Sequence, residues 1–259
     1  MYRVSQAHRL RAATRPMNKP FYNKSLCISV LTAMSGLLIR APHTVAMHAQ
    51  KDRIEGSDVK YNILAFGDSL TEGYYHAGYS YHPYNIKLNE LLTSNGYSAK
   101  VHERGESGEL VVGGMDVRLP ILLDHFKRQG VQLSWVIILG GINDLGHRTP
   151  ADAVYEGLRS LYAACHQHGA RVLALTCLQM ANSLGDHPDG RTQLNDLIRE
   201  TPASLDYVTV LDLDKELPFP RSQTDETAAL WDDILHLTPA GYDTMGRIIY
   251  GALRDLLDK

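Results

Sequence analysis

Cysteine is scarce, with three residues in a chain of 259: Cys27, Cys165 and Cys177. That number cannot build the disulfide framework of a small secreted domain. Cys165 is expected late in a helix and Cys177 just past the following strand, toward opposite ends of a sheet, so both read as free, packed thiols. No Cys and His spacing resembles a zinc site, and the histidines at 76, 82, 102, 125, 147, 166, 168 and 187 are scattered. They read as surface or supporting residues, and neither a metal nor an organic cofactor is implied. Acidic residues are absent from positions 1–51, which carry eight lysines and arginines. Because the formal charge of the whole chain is −3, the remainder is clearly acidic, which argues against a nucleic-acid-binding domain. Long apolar runs are missing too. The stretch from Leu26 to Ile39, flanked by Lys24 and Arg40, is too short to span a bilayer comfortably but suits the core of a signal peptide.

Residues 1–56 therefore read as a basic targeting or disordered segment. Secretion is the leading expectation, an organelle transit peptide also fits the composition, and a start at Met47 would leave a cytoplasmic protein. Residues 57–259 read as one domain without internal repeats, low-complexity segments or a membrane span. Five short β-rich runs, Tyr61–Phe66, Ala99–His102, Trp135–Leu139, Arg171–Thr176 and Tyr207–Leu211, each have the length of a buried strand. Helical periods separate them. Tyr84–Ser94 places Ile86, Leu88, Leu91 and Leu92 inward, and a second helix fills Val117–Arg128. A third opens at Thr149-Pro150-Ala151-Asp152, a capping signal, and a fourth covers about 193–200. The last begins at Thr238-Pro239 with Met245, Ile249, Ala252 and Leu256 on one stripe. Strands alternating with helices imply a three-layer α/β/α sandwich around a mainly parallel five-stranded sheet. Ligands of such open sheets lie outside the carboxyl ends of the strands.

Four short blocks fall at or near those ends. The first strand delivers Gly67-Asp68-Ser69-Leu70, presenting a serine on a tight turn. Gly105-Glu106-Ser107-Gly108 and Gly140-Gly141-Ile142-Asn143-Asp144 follow the second and third strands, and Asp233-Ile234-Leu235-His236 precedes the last helix. A serine hydroxyl is a poor nucleophile until a base takes its proton, and a neutral imidazole in reach is the usual solution. His236 is anchored two residues before a helix cap, and Asp233 in the same local turn is placed to orient its ring; Asp232 is the second choice. Asp68 and Asp144 are expected to brace their loops. The tyrosine-dense segment 74–84, just after the serine, offers Tyr74 and Tyr75 as walls of an acyl or sugar pocket.

With its four blocks in this order, the chain from Tyr61 onward resembles the SGNH or GDSL-type hydrolases. The resemblance implies a catalytic triad of Ser69, Asp233 and His236. It also implies an oxyanion hole made by the backbone N–H groups of Ser69 and Gly108 and the side-chain amide of Asn143. The second block departs from the family pattern, in which an asparagine often precedes the glycine. The expected reaction is serine-dependent hydrolysis of a carboxylic ester through an acyl-enzyme: an acetyl or short acyl ester, a carbohydrate ester, a lysophospholipid or a thioester. An acyltransferase would use the same residues, and a binding module on the hydrolase fold would have no need for all of them. An α/β-hydrolase elbow requires Gly-x-Ser-x-Gly, whereas Leu70 and Thr71 follow Ser69.

Overall fold

The computed structural model describes residues 59–181, 188–222 and 224–257. Residues 1–56, read above as a targeting or disordered segment, and with them Cys27, as well as His187, lie outside them. The sheet consists of β1 (Tyr61–Gly67), β4 (Ala99–Gly105), β5 (Leu133–Leu139), β6 (Arg171–Leu175) and β7 (Val208–Leu211), while β2 (Tyr74–Tyr75) and β3 (Ser80–Tyr81) form a separate small hairpin. All five main strands are parallel, in the order β4-β1-β5-β6-β7. In β1, the side chains of Ile63, Leu64, Ala65 and Phe66 are all fully buried. A strand of a sheet covered on both faces must read as a continuous apolar run, and burying each large side chain contributes about 1.5–3 kcal/mol.

Helices α2 (Asn85–Ser94) and α8 (Pro239–Arg254) pack on each other. Helix α5 (Ala151–Gln167) packs against both α3 (Asp116–Arg128) and α6 (Pro188–Glu200). The chain steps from β1 to β4 on one side and then back across β1 to β5, so right-handed crossovers place α2 on one face and α3, α5 and α6 on the other. This reversal is the topological switch point of a doubly wound sheet, where ligands bind. The parallel register sets Gly67 beside both Gly105 and Leu139, so the loops after β1, β4 and β5 leave the sheet side by side. Gly105 is required there for contact. A Cβ on it would lie 2.1 Å from the Glu72 nitrogen and 2.7 Å from the Asp68 carbonyl oxygen.

Several local expectations need correction. Thr149 does not cap α5; Pro150 occupies the cap position without a side-chain bond, because its ring fixes φ near the helical value while ψ stays extended. Ile86 is exposed, and Tyr84 joins Leu88 and Leu92 in the core instead. Helix α6 starts five residues early, at Pro188. On α8 the buried stripe is Tyr242, Met245, Ile249 and Leu253, with Ala252 and Leu256 half-buried beside it. Thr238 does cap α8, accepting from the Gly241 N–H at 3.3 Å. Cys165 and Cys177 are free and buried. No helix among the described residues is long and apolar enough to cross a membrane.

Candidate active site

β1 ends at Gly67, and a single helical turn, α1 (Ser69–Glu72), follows immediately. Asp68 builds this turn. Its side-chain Oδ1 accepts from the Leu70 N–H at 3.0 Å, and its carbonyl accepts from the N–H groups of Thr71 and Glu72. The Asp68 side chain is fully buried, and its Oδ2 has no hydrogen-bond partner among the described residues. Burial pushes this carboxyl up to about 7, against the Leu70 N–H and the nearby His236, which favour its ionised form. Ser69, held by this turn at the switch point, retains 5% of its exposure.

The histidine arrives from the far end of the chain. Across 167 positions in sequence, Ser69 Oγ lies 3.0 Å from His236 Nε2. His236 Nδ1 lies 2.9 Å from Asp233 Oδ2, while Asp233 Oδ1 accepts from the N–H groups of Leu235 at 2.8 Å and His236 at 2.7 Å. Burial works to raise the Asp233 carboxyl, but its bonds to His236 and Leu235 outweigh that and hold it below the usual carboxylate range. An ionised carboxylate only accepts, so Nδ1 carries the proton and the Nε2 lone pair faces the serine hydroxyl. Asp232 points elsewhere: its Oδ2 accepts from the His76 N–H at 2.7 Å.

β5 ends at Leu139, and the Gly140-Gly141 turn leads into α4 (Ile142–Gly146). Asn143 is buried there, and its Nδ2 donates to the Glu109 carbonyl at 2.9 Å. Asp144 is also buried and accepts from the N–H groups of Val111 at 2.8 Å and Val112 at 3.1 Å. These bonds tie the loop after β4 to the loop after β5. Burial raises the Asp144 carboxyl, opposed by the same two N–H groups. Gly108 has φ +78°, a left-handed conformation in which a side chain would be strained. Ser107 donates its N–H to Glu72 Oε2 at 2.9 Å, and its hydroxyl bonds the same oxygen. The second block is thereby fastened to α1.

Tyr74 packs its ring against His236, with centroids 4.5 Å apart and planes tilted by 41°. Tyr75 stacks instead on His76 at 6.5 Å. The hairpin that carries them turns through three consecutive left-handed residues, His76, Ala77 and Gly78, the first two at a cost of roughly 1–2 kcal/mol each. Asp232 holds one end of that turn, and the Tyr242 hydroxyl donates to the Tyr74 carbonyl at 2.7 Å. Sequence reasoning missed Glu72, Glu109 and Tyr242, which hold the loops around the site. No periodic or motif signal joins them, because each acts on a loop distant from itself in sequence or through a backbone carbonyl.

Comparison with known proteins follows the same lines. No match was found among curated protein sequences. Among solved structures, a carbohydrate acetylesterase family member from Sinorhizobium meliloti aligns with a TM-score of 0.60 at 21% identity, over 76% of this chain and 99% of its own. A GDSL-like lipase from Bacteroides thetaiotaomicron VPI-5482 gives 0.61 at 18% identity, over 82% and 98%. The psychrotrophic esterase EstA from Pseudoalteromonas sp. gives 0.60 at 16%, over 76% and 99%. These likenesses concern the fold. In sequence, residues 65–244, well over half of the chain, match the model of the GDSL-like lipase/acylhydrolase family. That span begins inside the strand that presents Ser69 and runs past the Asp233–His236 turn into α8; the chain belongs to this family of carboxylic ester hydrolases.

Proposed function

We propose that the chain hydrolyses short-acyl or acetyl esters through a covalent acyl-enzyme on Ser69. The observation that carries this reading is the continuous relay from Ser69 Oγ to His236 Nε2 at 3.0 Å and from His236 Nδ1 to Asp233 at 2.9 Å. His236 takes the serine proton as the oxygen attacks the ester carbonyl, and Asp233 stabilises the imidazolium that results. Negative charge develops on the former carbonyl oxygen. The N–H groups of Ser69 and Gly108 and the amide of Asn143 are assigned to receive it. Collapse of the tetrahedral intermediate expels the alcohol, which takes its proton from His236. Water then repeats the sequence on the acyl-enzyme and releases the acid.

The alcohol must leave beside the group that protonates it. Tyr74, packed on the His236 ring, therefore belongs to the leaving-group wall, and an aromatic face suits a compact sugar or aryl alcohol. Intact mass after treatment with a fluorophosphonate, measured on the full chain and on its Ser69→Ala variant, checks the nucleophile. One adduct on the wild type and none on the variant is the expected result. A folded wild type that takes up no probe would remove the hydrolase reading and favour ligand binding.

A further inference from the structure

Arg118 lies near the start of α3 and contacts no position assigned to the chemistry, yet its guanidinium meets three of the segments that build the site. Its Nε donates to Glu109 Oε1 at 2.7 Å, and its Nη2 bonds Glu109 Oε2, a two-point fork on one carboxylate. Nη2 also donates to the Gly67 carbonyl at 3.1 Å, at the end of β1 and two residues before Ser69. Nη1 donates to the Arg104 carbonyl at 3.2 Å, near the end of β4. The guanidinium lies over the Phe66 ring at 4.3 Å, and Glu106 Oε1 is 3.6 Å from Nε. The side chains of Arg118 and Glu109 are 15% and 10% exposed, so the pair is shielded from the screening that weakens surface ion pairs.

The backbone of Glu109 completes the connection. Its carbonyl accepts from Asn143 Nδ2 at 2.9 Å. A carbonyl can only accept, so the atom facing it must be the amide nitrogen rather than the amide oxygen. One of the two amide hydrogens is consumed there. That bond sets the plane of the amide and hence the direction of the second hydrogen, the one an oxyanion would receive. A shift of Glu109 therefore rotates the donor.

We propose that Arg118, acting through Glu109, is a positioning residue that sets the Asn143 donor against the Ser69 nucleophile. The proposal rests on the hydrolase reading above. Lysine cannot replace arginine in this role, because a single ammonium cannot fork a carboxylate and reach two carbonyls in the same plane.

The experiment compares hydrolysis of p-nitrophenyl acetate with that of its thiono analogue, in which sulfur replaces the carbonyl oxygen. Sulfur is a weak hydrogen-bond acceptor and gains little from well-aimed donors, so the ratio of the two rates reports donor alignment rather than general integrity. Arg118→Met and Arg118→Lys are expected to lower kcat on the oxygen ester by roughly 10- to 100-fold, the scale of a small misplacement remote from the chemistry, with KM little changed. The thiono ester should lose far less, so the ratio collapses. Glu109→Gln should give a smaller loss, and the Arg118→Met/Glu109→Gln pair no more than Arg118→Met alone. Where Arg118→Met does not fold, Arg118→Lys, which keeps the charge and most of the volume, decides the same ratio. An unchanged ratio, with both esters falling together or neither falling, overturns the proposal while wild-type fluorophosphonate labelling leaves the hydrolase reading standing. Loss of that labelling overturns both.

Discussion

The two sides of the site are built over different distances. On the histidine side the essential geometry is local: Asp233 meets the ring and two backbone N–H groups within three residues of itself. On the donor side the bracing side-chain bonds cross between segments distant in sequence. Asn143 reaches 34 positions to Glu109, Asp144 reaches 33 to Val111, and Ser107 reaches 35 to Glu72. A local turn needs only its own residues to form, whereas a cross-loop brace exists only once β4, β1 and β5 have paired. In the proposed mechanism the base therefore depends on its own turn, and the donors on residues remote in sequence.

The largest effect should come from the local side. Asp233→Asn leaves the turn nearly isosteric but favours the wrong imidazole tautomer, and kcat should fall by about 10⁴-fold, as for the equivalent change in a serine protease triad. Steady-state kinetics on p-nitrophenyl acetate reads this directly. A loss under tenfold would mean that His236 does not depend on Asp233 for its orientation. Next in size is the donor side: Asn143→Ala should lower kcat by about 10²–10³ with little change in KM, because the contact is made mainly in the transition state. A rise confined to KM would turn Asn143 into a substrate-binding residue.

This difference also explains what was legible in the sequence. Ser69, Asp233 and His236, which the structure brings within hydrogen-bond reach of one another, could be grouped in advance because each sits in a short local block. The three central strands β1, β5 and β6 could be placed because their apolar runs are buried, whereas the edge strands β4 and β7 are only partly buried and could be placed from their β-rich composition. Arg118 could not. It lies nine residues from Glu109, across the irregular turn Val111–Met115, and an arginine at the start of a helix looks like a solvated charge until the sheet is assembled. Tyr74 and Tyr75 looked equivalent as neighbours in a tyrosine-dense segment, but they form a short strand whose alternation sends them different ways, and Tyr74 is the one that packs on His236. Thr149 misled for the opposite reason. Its capping pattern was locally sound, but the helix begins one residue later, with Pro150 in the cap position.

Asp68 belongs to both sides and gives a test of intermediate size. It shapes the nucleophile turn, and His236, Glu109 and Asp144 all lie close enough to influence its charge. Its folded value of about 7 stands above the 3.9 of an unfolded chain. The stabilisation that its protonated form provides is therefore complete below about pH 4 and lost as pH rises through 7. Asp68→Asn carries no such titration. Urea unfolding at pH 5 and pH 8 should show the variant gaining on wild type by on the order of 2 kcal/mol over that interval. Parallel behaviour at the two pH values would mean that Asp68 stays ionised in the folded protein.

The smallest effect should fall one residue from the largest. Asp232 accepts from the His76 N–H at 2.7 Å, and Asn at that position keeps a carbonyl oxygen for the bond while losing the charge that strengthens it. The left-handed turn behind Tyr74 loses part of its anchor, so stability should fall by about 0.5–1.5 kcal/mol, with kcat changed only a few-fold. Adjacent carboxylates would then differ enormously in their catalytic effect because one faces the imidazole and the other faces the hairpin. Measuring Asp232→Asn and Asp233→Asn side by side, by denaturant unfolding and steady-state kinetics, tests that division. If Asp232→Asn removed activity as completely as Asp233→Asn, the base would depend on the hairpin as much as on its own turn, and the histidine side would no longer be local.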